Sequence, residues 1–241
     1  MKIGIAVSTY ANEKTDEARI DIIKQCLDSM LGLDIDVIIV NDASVNESHV
    51  SLINSYPEFT VINRPRNGGI AKCKNTAIKH FEENEYDIAF LIDDDVEILD
   101  KKFYERYIEA YEKTGIHHLC LQCSGDHPHS NDIEINGFHV MKSNHTNGCF
   151  LMLTQKMIKE LGYFKILPHK YGHEHSNYTM RALLNGFASG FIDVVNSGEL
   201  LRLIPQSTDV HSGIRTSGKE FHENEREAFD NLSNEKYISY K

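Results

Sequence analysis

Short apolar runs alternate with helical patterns along the first part of the chain. Apolar runs bounded by polar residues predict buried strands, and they occupy residues 3–7, 36–40, 60–62 and 87–92. A helical pattern follows the first run, with apolar side chains on one face at Ile20, Ile23, Leu27 and Met30. Strands that alternate with helices are joined by right-handed crossovers. The sequence therefore predicts an α/β fold with a mostly parallel central sheet flanked by helices.

The pattern is less regular in the second part of the chain. Helices are predicted over 103–111 and 155–161 and within 172–184, and further strands over 118–122, 147–153 and 187–195. The stretch 124–136 is polar and is predicted to be a loop. From residue 219 onward the chain is acidic and polar with scattered aromatic residues, which is typical of a tail that is either docked or mobile.

Polar side chains follow three of the predicted strands at the point where each strand ends. The segments are Ser8-Thr9-Tyr10, Asn41-Asp42-Ala43-Ser44 and Asp93-Asp94-Asp95. The carboxyl ends of parallel strands meet at one edge of a sheet, and open α/β sheets bind their ligands at that edge. The sequence therefore predicts a polar site there, as a nucleotide requires.

Three adjacent carboxylates end the last of these strands. They cannot lie inside the core, because burying an unpaired charge costs a large free energy. Strand side chains alternate, so Asp93 and Asp95 should face one way and Asp94 the other. Two carboxylates on one side repel each other unless a cation lies between them, and Mg²⁺ and Mn²⁺ prefer such oxygen ligands. The alternative is a solvated acidic turn after a strand.

Composition and charge exclude one class of partner and suggest a location. The chain has 241 residues and a formal charge of −11, so it lacks the basic excess of a general nucleic-acid binder. A metal ion can still bring an anionic small molecule to an acidic site. The first residues enter a strand directly, unlike a signal peptide, and no apolar run approaches the ~20 residues that cross a bilayer. We therefore expect a cytoplasmic protein, which is compatible with peripheral contact with a membrane.

The five cysteines form no regular framework, as expected of reduced thiols. Two of them, Cys120 and Cys123, lie near a group of histidines at His117, His118, His127 and His129. This cluster is compatible with a zinc site. A structural role is favoured, because the thiols lie within a predicted strand and no second cysteine pair exists.

Four segments together resemble the family 2 glycosyltransferases, which have the GT-A fold. They are Ser8-Thr9-Tyr10, Asn41-Asp42-Ala43-Ser44, residues 67–75 and Asp93-Asp94-Asp95. Their order and spacing match the nucleotide-sugar half of that family. The family usually has Pro where this chain has Ser8, and often Arg where it has Lys74. Taken singly, Asp42 is also compatible with a helix cap, and Gly68-Gly69 with a tight turn.

The resemblance implies a donor site built from these segments. Thr9 and Tyr10 would line the base and ribose pocket, and Asp42 would accept a hydrogen bond from the base. Asn67 and Asp94 would belong to the same nucleotide-sugar site.

The resemblance also implies how the donor's diphosphate is held. Lys74 would face the diphosphate or position Asp93, and Asp93 would touch the ribose or a metal-bound water. Asp95 and His211 would ligate Mn²⁺ or Mg²⁺, since residues 209–213 resemble the late metal-binding histidine of metal-dependent GT-A enzymes. The alternative for His211 is a surface histidine.

Residues 172–181 resemble the family's acceptor-side motif, Gly-x-Glu-Asp-x-Asp-Leu-x-x-Arg. The family's catalytic Asp aligns with His175 and its second Asp with Asn177. The acceptor hydroxyl must lose a proton as it attacks, and either a carboxylate or a neutral imidazole can accept that proton. The family's use of carboxylates favours Glu174 as the base, whereas the alignment favours His175. Glu174 is also compatible with a first-turn carboxylate that only stabilises a helix.

These observations predict a metal-dependent, inverting glycosyltransferase of polysaccharide biosynthesis. Its donor would be a nucleotide-sugar, expected to be a UDP-sugar, and its acceptor a glycan, a glycolipid or another hydroxyl compound. Residues 1–100 would form the nucleotide-sugar half, and residues 101–241 the acceptor-binding and catalytic half of the same compact domain.

Two other classes of protein remain as alternatives. A sugar-phosphate nucleotidyltransferase also uses a nucleotide, acidic residues and a divalent ion, but commonly has a Gly-rich basic loop after the first strand, which residues 8–12 lack. A non-catalytic nucleotide-sugar-binding module is suggested by His175 and Asn177 at positions where the family has aspartates.

Overall fold

The computed structural model describes residues 1–121, 131–143, 148–205 and 217–241. In these residues the strands are β1 (Ile3–Thr9), β2 (Asp36–Asn41), β3 (Thr60–Asn63), β4 (Ile88–Asp93), β5 (Val96–Ile98), β6 (His118–Cys120), β7 (Asn131–Ile135), β8 (Phe138–Ser143), β9 (Phe150–Thr154), β10 (Phe191–Val194) and β11 (Leu201–Leu203). The helices are α1 (Glu17–Asp28), α2 (Glu47–Ile53), α3 (Ile70–Glu83), α4 (Phe103–Thr114), α5 (Gln155–Leu161), α6 (Glu174–Leu184) and α7 (Gly218–Phe229).

Six of these strands form one central sheet, in the order β3-β2-β1-β4-β9-β6. β1 pairs in parallel with β2 and with β4, and β2 pairs in parallel with β3. β9 and β6 extend the sheet with antiparallel pairs beyond β4. The prediction of a mostly parallel central sheet flanked by helices is confirmed. This order places the carboxyl ends of β1, β2 and β4 side by side.

Apolar side chains cover both faces of the sheet, because successive residues of a strand point to opposite sides. In β1, Ile5 and Val7 belong to the core beneath α1 and α4, whereas Ala6 belongs to the core beneath α3, α5 and α6. β4 is buried from Ile88 to Ile92, and Asp93 is its first partly exposed residue. Water therefore reaches this strand only at its carboxyl end.

The structure corrects the prediction of a loop over 124–136. Residues 131–135 form β7, which pairs antiparallel with β8, and β10 joins the other side of β8. Asn136 and Gly137 connect β7 to β8 with φ angles of 51° and 78°. An Asn-Gly pair favours this two-residue hairpin turn, and the polar composition of the half-exposed β7 obscured the signal. Residues 124–130 lie outside the described residues.

The helix α2 was not predicted either. It has only seven residues, of which His49 and Ile53 are buried, so it lacks a clear apolar stripe. Its N-terminal signal is Asn46, whose side chain accepts a hydrogen bond from the backbone of His49.

The C-terminal segment 217–241 is docked, which decides between the two alternatives for this tail. Ile238 pairs with Gly162 in a parallel bridge, and the buried guanidinium of Arg181 donates to the carbonyl of Lys236 at 3.2 Å. The side-chain amide of Asn177 donates to the carbonyl of Ala228 at 2.7 Å. Helix α7 and the residues after it are therefore held against α6.

The zinc alternative receives no support from the part of the chain that the structure describes. The thiol of Cys120 is buried, and both ring nitrogens of the buried His118 have hydrogen-bond partners. Cys123, His127 and His129 lie outside the described residues. In the described ranges, no helix combines the length and the apolar character that crossing a membrane requires.

Candidate active site

A cavity of about 270 Å³ opens where the carboxyl ends of β1, β2 and β4 meet. Its wall includes most of the predicted site residues together with two others, namely Thr9, Tyr10, Arg19, Asp42, Asp93, Asp94, Asp95, Tyr171, Glu174 and His175. Asn67 and Lys74 do not line it, and His211 lies outside the described residues. The structure therefore brings both halves of the predicted site to one cavity.

Asp93 is paired with a cation that α3 supplies from inside the protein. The Nζ atom of Lys74 lies 3.0 Å from Oδ1 of Asp93 and donates to the carbonyl of Gly148 at 2.5 Å. The Lys74 side chain is fully buried. Burial opposes its charge, but the carboxylates of Asp93 and Glu174 outweigh burial and raise the pKa of Lys74. Lys74 therefore remains a cation beneath the cavity.

Asp94 is paired on the other side of the sheet, by Arg19 of α1. The guanidinium forms an ion pair with Oδ1 of Asp94, and the hydroxyl of Thr9 donates to Oδ2 at 2.6 Å. Nε2 of His49 lies 2.8 Å from the same hydroxyl. Because the hydroxyl of Thr9 donates its one proton to Asp94, it can only accept from His49. Nε2 of His49 therefore carries the proton and donates it to Thr9. Burial lowers the pKa of His49 to about 4, so its ring is neutral at neutral pH.

Asp95 differs from its two neighbours. No hydrogen bond or ion pair from another described residue reaches its side chain. Burial, followed by repulsion from Asp93 and Asp94, raises its pKa to about 7. A hard divalent cation would relieve this repulsion, and carboxylate oxygen is the ligand that Mg²⁺ and Mn²⁺ prefer. The residues present therefore fit such an ion, although no three potential ligands cluster in the described ranges.

Asp42 lies at the end of β2 and holds the glycine turn that precedes α3. Its Oδ2 accepts from the backbone of Gly69 at 2.8 Å, both oxygens accept from Gly68 at 3.1 Å, and Arg64 forms an ion pair with Oδ1. Burial nevertheless raises the pKa of Asp42. Asn67 lies just before this turn and accepts a hydrogen bond from Lys170. Asp42 thus both lines the cavity and fixes the start of α3.

Two tyrosines line the cavity. Tyr10 follows β1, and Tyr171 lies in the loop before α6. Burial, followed by the charges of Asp42 and Asp94, raises the pKa of Tyr171. Tyr171 therefore brings the loop before α6 to the cavity wall.

Glu174 and His175 form a pair at the first turn of α6. Oε1 of Glu174 lies 3.1 Å from Nδ1 of His175, and Oε2 accepts from the backbone of Gly172 at 3.0 Å. Burial opposes ionisation of Glu174, but the hydrogen bond and charge of His175, with the charge of Lys74, lower its pKa to about 2. With Nδ1 donating to Glu174, Nε2 of a neutral His175 is left as an acceptor. The imidazole lines the cavity and is only partly buried.

Gly148 lets the His175 ring occupy this position. A Cβ atom at Gly148 would lie 2.6 Å from Cγ and Nδ1 of His175, closer than side chains tolerate. The carbonyl of the same residue accepts from Lys74. Gly148 therefore contacts both the buried ammonium group of Lys74, beneath Asp93, and the imidazole of His175 at the cavity wall.

Sequence reasoning missed Arg19, Tyr171 and His49. Arg19 carries a signal, because four-residue spacing places it on the same helix face as Ile23 and Leu27. A charged residue on an apolar face predicts a buried partner of opposite charge. Tyr171 and His49 carry no comparable signal, because only the folded chain brings them to the cavity.

Comparison with known proteins gives one family. Residues 6–180 match the profile of the family described as Glycosyl transferase family 2. An uncharacterized glycosyltransferase of Acanthamoeba polyphaga mimivirus is 37% identical over 224 residues, which cover 90% of this chain and 87% of that protein.

Solved structures with the same fold bind nucleotide sugars. S. aureus TarS 1-349 in complex with UDP-GlcNAc superposes with a TM-score of 0.64 at 20% identity, over 95% of this chain and 65% of that chain. The mannosyltransferase PcManGT from Pyrobaculum calidifontis, in complex with GDP-Man and Mn²⁺, has a TM-score of 0.59 at 15% identity, over 88% of this chain and 59% of that chain. This chain thus spans less than two thirds of either chain. At these identities the likeness shows the fold alone, and the predicted GT-A type is confirmed.

The Lys74 pair gives a stability prediction. Replacing Lys74 with Met should lower the free energy of unfolding by on the order of 2 kcal/mol, because it leaves Asp93 without its buried cation. Urea unfolding at pH 7.5 measures the change. The matched control is Lys79→Met on the exposed face of the same helix, where the pair with Glu83 contributes no more than about 0.5 kcal/mol. Equal losses in the two variants would contradict the role of Lys74.

His49 gives a prediction for the pH dependence of stability. Its folded pKa of about 4 lies below the ordinary 6.5, so the unfolded chain binds one more proton between these values. The free energy of unfolding should therefore fall as the pH drops from 6.5 toward 4, with this one proton contributing about 1.4 kcal/mol per pH unit. In urea unfolding from pH 7 to 4.5, the free energy of unfolding of His49→Gln should depend less steeply on pH than that of wild type. The difference should be the contribution of this one proton. The exposed control His222→Gln should keep the wild-type slope, and a His49→Gln curve parallel to wild type would refute the assignment.

Proposed function

The chain belongs to glycosyl transferase family 2 and is a glycosyltransferase, and from this premise we propose that it moves a sugar from a UDP-sugar to a hydroxyl acceptor with inversion and with a divalent metal ion. Family membership favours this activity over the nucleotidyltransferase and binding-module alternatives. Residues 1–100 hold the donor in this proposal, and residues 101–241 supply the acceptor side.

One observation carries the proposal. Within a single cavity, Asp93 and Asp94 have protein cations as partners, whereas Asp95 has none among the described residues. The imidazole of His175 belongs to the same wall. This arrangement accommodates a donor diphosphate with a metal ion, next to a proton acceptor.

The donor binds, in this proposal, between the two tyrosines and the strand ends. Thr9 and Tyr10 line the base and ribose pocket, Tyr171 covers it, and Asp42 faces the base edge. The neighbours with the same fold were solved with UDP-GlcNAc and with GDP-Man, which supports a nucleoside diphosphate sugar as the donor. UDP-sugars are therefore the first donors to test, with GDP-mannose as the comparison.

The residues behind the cavity wall act by positioning others. The Nζ atom of Lys74 pairs with Asp93 and donates to the carbonyl of Gly148. These contacts support a role in orienting Asp93 over direct contact with the diphosphate. Asp94 is likewise held by Arg19. Asn67 contacts Lys170 and lies outside the cavity lining, so we assign it to the turn that shapes the site.

Asp95 and His211 are the proposed ligands of Mn²⁺ or Mg²⁺. The ion would supply Lewis-acid stabilisation of the negative charge that develops on the leaving diphosphate. One of the neighbours with this fold was solved with Mn²⁺. The support from this chain is the partly buried carboxylate of Asp95, which has no cation partner among the described residues.

We assign the general base to His175, with Glu174 as its partner, although the family's use of carboxylates favoured Glu174. Both oxygens of Glu174 are engaged, by Gly172 and by His175. With a pKa of about 2, Glu174 is too weak a base to accept a proton from a hydroxyl. His175 instead presents Nε2 to the cavity, while Glu174 holds Nδ1–H and stabilises the imidazolium that forms.

The reaction then follows from the positions of these groups. The acceptor hydroxyl of a glycan or glycolipid loses its proton to Nε2 of His175 while its oxygen attacks the anomeric carbon. The bond to the diphosphate breaks on the opposite face of the sugar, which inverts the anomeric centre. The bound donor and the cavity wall exclude water, which would otherwise compete as the acceptor.

The donor site predicts metal-dependent nucleotide binding. Calorimetry should show that UDP binds wild type in Mn²⁺ and at least tenfold more weakly in EDTA, because Asp95 needs the ion to meet a diphosphate. Asp95→Asn should abolish this difference. A parallel assay with UDP-GlcNAc, other UDP-sugars and GDP-mannose should release the nucleoside diphosphate and not pyrophosphate.

The matched control is Glu97→Gln, two residues along the chain, where the carboxylate pairs with Arg202 and does not line the cavity. It should bind UDP as wild type does. Equal UDP affinity with and without Mn²⁺ in wild type would contradict the metal role, and release of pyrophosphate would favour the nucleotidyltransferase alternative.

The base assignment predicts a ranking of two variants. His175→Gln should lower kcat by roughly 10²–10⁴-fold, because it removes the proton acceptor. Glu174→Gln should cost less, since the imidazole remains. UDP affinity should stay within about threefold of wild type in both, so the loss lies in kcat.

Initial rates at saturating donor, from pH 5 to 9, measure this ranking. Near-normal turnover of His175→Gln would return the base role to Glu174.

A further inference from the structure

The loop that carries Tyr171 to the cavity is tied to both parts of the protein. We call residues 169–172, just before α6, the site loop. On one side, the carbonyl of Lys170 accepts a hydrogen bond from the backbone of Ile70 at 3.2 Å, at the start of α3. Gly69 permits this approach, because a Cβ atom there would lie 2.6 Å from the Lys170 carbonyl oxygen. The site loop therefore touches the glycine turn that Asp42 holds.

On the other side, the site loop is held by one side chain of α7. Oδ1 of Asn224 accepts from the backbone of His169 at 2.9 Å. Its Nδ2 donates to the carbonyls of His169, Tyr171 and Gly172 at 3.1, 2.8 and 3.2 Å. Asn224 is fully buried. Backbone groups of a segment without secondary structure need partners wherever water does not reach them, and this single amide contacts three of the four residues of the site loop.

The hydrogen bonds continue from Asn224 to the proposed base. The backbone N–H of Gly172, whose carbonyl contacts Asn224, donates to Oε2 of Glu174, and Oε1 of Glu174 contacts His175. Gly172 has a φ of 101°, and a Cβ atom there would lie 2.8 Å from the ring of Phe221, also on α7. The position of Glu174 thus depends on a peptide that α7 holds in place.

We propose that Asn224 is a positioning residue, which fixes the site loop so that Tyr171 closes the nucleotide cavity and Gly172 fixes the Glu174–His175 pair. Asn224 lies beyond residues 6–180, which match the family profile, so this contact is supplied by the C-terminal segment of the chain. The consequences for UDP binding and turnover rest on the proposed function, whereas the consequence for the site loop does not.

The experiment compares Asn224→Ala and Asn224→Asp with a matched control, Asn185→Ala. The side chain of Asn185 makes the same kind of bond, from Nδ2 to the carbonyl of Arg181 at 2.8 Å, but at the far end of α6. Asn224→Asp preserves the size of the side chain and the oxygen that accepts from the backbone of His169. It removes the N–H donors, however, and places a carboxylate against the carbonyls of His169, Tyr171 and Gly172. It therefore separates the hydrogen bonds from a simple loss of volume.

Amide hydrogen exchange and kinetics are measured where circular dichroism shows each variant folded. In both Asn224 variants, exchange of the His169 and Gly172 amides should be at least tenfold faster than in wild type. The Kd for UDP should rise severalfold, and kcat for sugar transfer should fall by about 10²-fold, because the proton acceptor is misplaced. Asn185→Ala should match wild type in all three measurements.

Each outcome tests the proposal separately from the proposed function. Wild-type exchange in the site loop of both Asn224 variants would overturn the proposal, as would faster exchange with unchanged UDP affinity. If wild type transfers no sugar from UDP-GlcNAc, other UDP-sugars or GDP-mannose, the proposed function fails. The exchange rates of the variants then still support or overturn the positioning role.

Discussion

The need to balance negative charge at the end of β4 shapes the whole cavity. Three consecutive carboxylates follow a strand that is dry along its length, and a buried charge without a partner costs a large free energy. The protein supplies two internal cations from opposite sides of the sheet, Lys74 from α3 and Arg19 from α1. Because each cation takes one aspartate, Asp95 is the one of the three that has no cation partner among the described residues. In the proposed function, a bound metal ion with its diphosphate completes this charge balance.

The same helices and loops that balance the charge also position the chemistry. Lys74 donates to the carbonyl of Gly148, and Gly148 makes room for the ring of His175. Glu174 lies close enough to Lys74 for the lysine charge to help lower the pKa of this carboxyl. The positive charge of Lys74 therefore favours the ionised form of Glu174, which contacts the imidazole of His175. Lys74 and Glu174 are electrostatically coupled, although they lie about a hundred residues apart in the sequence.

Local patterns in the sequence were sufficient for the sheet and for most of the cavity. Apolar runs located β1 to β4, and strand alternation correctly placed Asp93 and Asp94 on opposite sides. The partners of these groups depend on tertiary contacts: the spacing of Arg19 indicates a buried partner without identifying Asp94, and only the family resemblance connected Lys74 with Asp93. Arg19 and Lys74 each lie on a helix more than ten residues from their aspartate in the chain, and Asn224 is ordinary in sequence yet fully buried. The preference between Glu174 and His175 changed for the same reason, since only the folded chain shows both oxygens of Glu174 engaged.

A crystal structure grown with UDP and Mn²⁺ tests the central claim most directly. The account predicts the ion bound to Asp95 and to oxygens of the diphosphate, with Asp93 still on Lys74, Asp94 still on Arg19, and the uracil between Tyr10 and Tyr171. A structure with nucleotide in this cavity but no ion beside Asp95, or with Asp95 turned toward bulk solvent, would contradict it.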